Sequence, residues 1–104
     1  MWRGTTPTHT FTLPEGMKQE DFAVLFISYA QNGEVVVEKE IDDLLFDGNI
    51  IKVVFTQTDT LKFEPGPVKI QLRGRMLDGQ AVASNHISTT AKEILKDGEI
   101  WGFG

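Results

Sequence analysis

The chain has 104 residues, 40% of them hydrophobic and 24% charged, which suits one globular domain and neither a disordered segment nor a membrane protein. It has no cysteine, which excludes thiol catalysis, zinc–thiolate sites and iron–sulfur clusters and favours folding in a reducing compartment. The net charge of −5 opposes a general affinity for nucleic acid, because neutralising phosphates needs a basic surface.

Read from the start, the opening MWRGTTPTHT lacks the apolar run of a signal peptide, so no export signal is expected. The longest apolar run, 22–27, is six residues, far below the ~20 that a membrane helix needs, so no membrane partner is expected. Residues 8–13 alternate, with His9, Phe11 and Leu13 on one face and three threonines on the other, the pattern of a half-buried strand. Pro14, Glu15 and Gly16 end it.

Residues 22–30, FAVLFISYA, are apolar on both faces, which predicts a central strand covered on both sides. Asn32-Gly33 then predicts a tight hairpin, with 35–39 as the return strand. Residues 41–47 read either as a helical turn or as an irregular crossing between sheets, and Gly48-Asn49 punctuates the chain. Next comes a strand at 50–56 with Ile51, Val53 and Phe55 on one face. Thr58, Asp59 and Thr60 read as a turn, and Leu61 and Phe63 as one face of a further short strand. Pro65-Gly66-Pro67 interrupts the ladder.

The clearest signal is the stretch 68–87. Val68, Ile70, Leu72 and Met76 share one face, and Lys69, Gln71, Arg73 and Arg75 the other. Asp78-Gly79 supplies the hairpin turn, and the second arm runs over about 80–90. Residues 91–97 read either as a last strand or as a helical turn. With seven or eight short extended segments and no long helix, the expected fold is an all-β, two-sheet antiparallel sandwich. It should form a single domain over 1–104, with flexible ends at 1–6 and 98–104.

Reactive constellations are hard to find. His9 and His86 have no spaced ligand partners, and each reads as a structural or surface residue rather than a metal ligand or general base. The acidic run 42–49 lacks the alternating ligands of a calcium loop. Neither a nucleophile elbow around Ser28, Ser84 or Ser88 nor a phosphate-binding glycine loop is present. The expectation is a non-enzymatic protein without a cofactor.

Candidate contact residues are Trp2, Trp101 and Phe103, aromatic side chains near the two ends, and the outward-facing Arg73 and Arg75. The aromatic ends either fold back on the domain or dock on a neighbouring subunit, which would make a homo-oligomer. Tyr29 and Trp101 also suit a carbohydrate-binding or adhesion module, since exposed rings stack on sugars.

The pieces TTPTHTFTLPEG, YAQNGEVVVEKE, TQTDTLKFEPGPVKIQLRGRMLDGQAVASN and EILKDGEI resemble small proteins encoded in tailed phages and prophages of Gram-positive bacteria. More remotely, they are similar to the N-terminal immunoglobulin-like domain of phage baseplate upper proteins. The likeness runs from about Thr5 to Ile100. It implies an immunoglobulin-like sandwich in a tail or baseplate, with other phage structural proteins as partners. It also implies synthesis in the host cytoplasm followed by entry into the virion, and carries over no catalytic residue. Residues 1–104 read as one domain, so no receptor-binding or coiled-coil extension of the baseplate kind is expected.

Overall fold

Two antiparallel sheets packed face to face form the protein, as expected from the alternating segments. The computed structural model describes residues 1–101. One sheet has the order β1-β5-β4, built from Thr8–Thr12, Ile50–Val54 and Leu44–Asp47. The other joins β3 (Glu34–Glu40), β2 (Phe22–Gln31) and β6 (Gly66–Met76). The far edge of β6 is shared by two short strands, β7 (Ala81–Ala83) and β8 (Ile87–Ala91). Immunoglobulin-type sandwiches pair an A-B-E-D sheet with a C′-C-F-G sheet. Here β1-β5-β4 follows B-E-D, and β3-β2-β6 with β7 and β8 follows C′-C-F-G.

The turn chemistry explains the connections. Asn32 at φ 52° and Gly33 at φ 79° give the left-handed pair that a two-residue hairpin between β2 and β3 requires. At the end of β6, the Gly79 amide donates to the Met76 carbonyl at 2.9 Å, and the Met76 amide donates to Gln80 at 2.8 Å. The returning arm is one strand broken in the middle. Ser84 fills the break: its hydroxyl accepts from the Leu72 amide at 2.9 Å, and its amide donates to the Leu72 carbonyl at 2.8 Å.

The core lies between the sheets. Ile27 and Tyr29 of β2, Ile51 and Val53 of β5, and Val68 and Ile70 of β6 are buried there with Phe55 and Phe63. Gly74 belongs to the same inward row. A Cβ at this position would stand 2.9 Å from the Val24 carbonyl oxygen and 3.1 Å from Leu25 Cδ1, so glycine lets β2 come close where its register shifts between Phe22 and Val24.

Several expectations need correction. β2 is the central strand between β3 and β6, but only its inward face is covered: Val24 is 38% exposed and Phe26 half-buried on the other side. An apolar run does not reveal which of its faces a second layer covers. Leu61 and Phe63 are not in a strand. Leu61 ends a one-turn helix, α1 (Gln57–Leu61), and Phe63 is buried in the irregular segment after it. Thr56 starts that helix by accepting from the Asp59 amide at 3.1 Å, while Asp59 accepts from the Thr56 amide at 3.0 Å. Residues 41–47 do hold the expected helical turn, a 3-10 turn at Ile41–Asp43 that crosses from one sheet to the other, but Leu44–Asp47 then form β4, which was not expected. Among the described residues after β8, 92–101, there is neither strand nor helix, apart from a parallel bridge between Lys92 and Trp2.

Candidate protein-interaction face

The outward face of the larger sheet is set by the register of its strands. Ser28 of β2 lies between Glu38 of β3 and Gln71 of β6, and Phe26 between Glu40 and Arg73. Val24 pairs with Arg75, and Ala30 lies between Val35 and Lys69. Beyond β6, Arg73 and Arg75 pair with the exposed Ala83 and Ala81. These small residues leave the guanidinium groups open to solvent. The face therefore carries three parallel stripes: acidic on β3, largely apolar on β2, and basic on β6.

The charges on these stripes have no ionic partner among the described residues. The ion pairs among the described residues are Arg3 with Asp97 and Lys39 with Asp59, so Arg73, Arg75, Glu38 and Glu40 have no partner within 4.0 Å. At one end of the face, Ala30, Val35, Lys69, Gln71 and His86 line a shallow hollow of about 520 Å³. His86 is exposed there, in the break between β7 and β8.

Charges at the sandwich interior behave differently. Lys39 sits opposite Ile27 and so points to the core side of edge strand β3. Its ammonium reaches Asp59 of α1 at 2.8 Å and lies 5.4 Å from the centre of the Phe55 ring. Burial raises the Asp59 carboxyl, but the bonds from Lys39 and Thr56 and the Lys39 charge outweigh it and hold the carboxyl below its ordinary value. Nearby, His9 and Tyr29 are joined by a 3.0 Å hydrogen bond, and both rings pack against Phe55 at 4.9 Å between centres. Burial lowers the His9 pKa, and the positive N-terminus lowers it further. Burial also pushes the Tyr29 phenol well above its ordinary value. His9 is thus a half-buried histidine at the edge of the core, whose surroundings favour the neutral ring.

The remaining candidates occupy other elements. Met1 and Arg3 tie the N-terminal segment to the end of β8: the Lys92 amide donates to Met1 at 2.7 Å and the Arg3 amide to Lys92 at 3.2 Å. The Trp2 ring is 52% exposed, with the Lys92 ammonium 4.8 Å from its centre. Residues 99–101 lie along α1. Gln57 exchanges two hydrogen bonds with the Ile100 backbone, at 2.7 and 3.0 Å, and Thr58 donates to Glu99. That bond from Thr58, with one from the Trp101 indole at 3.3 Å, lowers the Glu99 pKa. The Trp101 ring itself is 73% exposed. Phe103 lies outside the described residues.

Arg73 and Arg75 therefore share one face, while Trp2 lies beside Lys92 past the end of β8 and Trp101 lies along α1. Sequence reasoning missed Glu38, Glu40, Val24 and Phe26 as members of the face. Their signal was the i, i+2 spacing of Glu38 and Glu40 on the return strand together with the strand pairing, which only the register supplies. Tyr29 is fully buried and cannot stack on a sugar. Among the described residues no group of three or more His, Asp or Glu side chains is placed to hold a metal ion, and no helix is long and apolar enough to cross a membrane. Comparison with protein-family models, curated proteins and solved structures finds no match for this chain.

Proposed function

We propose that this protein is a non-enzymatic structural or adaptor component of a tailed-phage particle, in the tail or baseplate, that works through protein–protein contact. The observation that carries this reading is the outward face of the larger sheet, where Arg73, Arg75, Glu38 and Glu40 stand unpaired around Val24 and Phe26. Solvent-exposed charges around an apolar strip form the rim and centre that contact faces use. The phage context is supported by the resemblance of the four sequence pieces. Synthesis would take place in the host cytoplasm, before entry into the virion.

Mass spectrometry of purified particles and of assembly intermediates tests the reading. The expected result is the protein in fixed ratio to known tail components. Consistent absence from both would overturn it.

One observation favours a carbohydrate-binding reading as the alternative: the Trp101 ring is largely exposed beside the Glu99 carboxylate. A ring and a neighbouring acceptor are the parts a sugar-stacking site uses. A glycan array tests this, with signal lost in Trp101→Ala as the expected result. An array without signal removes it.

A further inference from the structure

We propose that the partner of the outward face is a second copy of this chain, packed face to face about a twofold axis that runs along β2. The proposal rests on the reading of this face as a contact surface and names its occupant.

The charge pattern selects both the partner and the axis. The stripes run parallel to the strands, acidic β3 and basic β6 on either side of β2. Two identical faces can meet about a twofold axis lying in the interface, either across the strands or along them. An axis across the strands would set β3 on β3 and β6 on β6, bringing like charges together. An axis along β2 reverses the stripes, so that β6 of one copy lies over β3 of the other. Arg73 then meets Glu40 of the second copy, and Gln71 meets Glu38. Ser28 and Phe26 meet their own counterparts. Arg75 falls beyond the end of β3, where exposed Asp42 and Asp43 follow. All the complementary charges come from one sequence, and none has an ionic partner among the described residues of its own chain.

The axis along β2 overlays β3, β2 and β6, since β3 is an edge strand and leaves β7 and β8 without a counterpart. Three strands at ~4.8 Å spacing and about eight residues at ~3.3 Å give a patch of roughly 380 Å² per copy. Two such faces bury about 760 Å², below the ~1,000 Å² of a stable interface and in the range of weak, transient ones. A weak, reversible dimer populated only at high concentration is expected.

Sedimentation equilibrium on the purified chain reads the association, and paired charge reversal reads the register. Arg73→Glu alone and Glu40→Arg alone should each weaken the dimer at least ~10-fold, by setting like charges opposite each other. The double variant should recover most of the loss, because it restores opposite charges with their signs exchanged. Raising the salt from about 0.05 to 0.5 M should weaken the wild-type dimer several-fold. The absence of cysteine allows an independent test of the axis. Ser28→Cys should oxidise to a covalent dimer on its own, whereas Glu38→Cys should cross-link efficiently only when mixed with Gln71→Cys. A chain that stays monomeric up to about 1 mM overturns the proposal, as does a dimer indifferent to both reversals or one that cross-links through Glu38→Cys alone. None of these results depends on whether the protein is found in particles, so this proposal can fail without the functional reading failing.

Discussion

Charges on the two sides of the larger sheet meet opposite fates. On the core side, Lys39 and Asp59 are brought together at 2.8 Å over the Phe55 ring. On the outward side, Arg73, Arg75, Glu38 and Glu40 have no ionic partner among the described residues. An ion kept from water costs several kcal/mol unless paired, whereas an exposed ion costs almost nothing unpaired. The inward charges are therefore fixed by folding, and the outward ones stay solvated, which is what the proposed contact role requires. Substitutions on one side should move stability, and those on the other should move association.

The largest expected effect is at the aromatic centre. Phe55→Ala removes the ring on which His9, Tyr29 and Lys39 converge and should cost about 3–5 kcal/mol in denaturant unfolding. Next is Asp59→Ala. It strands the Lys39 ammonium and removes half of the capping pair with Thr56, for about 2–4 kcal/mol by the same measurement. Gly74→Ala should cost about 1–3 kcal/mol, since the added carbon presses on the Val24 carbonyl and β2 must shift.

Acid should weaken the inward side in two stages. His9 has a lowered pKa in the folded protein, so the unfolded chain binds a proton first as the pH falls. The stability it contributes is full above the unfolded value of about 6.5 and is lost as the pH falls through the lowered folded value. Asp59 is also lowered, so its contribution is full above about 3.9 and is lost below that, as the pH falls through its folded value. Thermal melts across pH should show the first stage disappear in His9→Gln while the second remains. The smallest effect is expected on the outward side, where Arg73→Ala and Arg75→Ala should each change stability by no more than about 0.5 kcal/mol.

The inward side was largely legible in the sequence. Alternation marked Val68, Ile70 and Leu72 as one buried row, and Asn32-Gly33 and Asp78-Gly79 marked two of the hairpins, because side-chain period and positive φ are local properties. The outward face was legible only in part. Arg73 and Arg75 showed as neighbours on one strand, but their relation to Glu40 depends on two strand pairings that local pattern does not specify. Val24 and Phe26 read as doubly buried because an apolar strand looks the same whether one face or both are covered. The Lys39–Asp59 pair was hidden for a similar reason: the two residues are 20 apart, and α1 had been read as a turn although Thr56 and Asp59 carry the spacing of a helix cap.

Under the proposed function, the division of roles is tested most directly by the abundance in phage particles of a variant carrying both Arg73→Glu and Arg75→Glu. Quantitative mass spectrometry of particles from otherwise identical inductions would compare it with the wild-type chain. The account predicts a variant that melts within about 3 °C of wild type yet falls at least ~10-fold in particles. Wild-type abundance in particles, or a melting point lowered as far as that of Asp59→Ala, would contradict it.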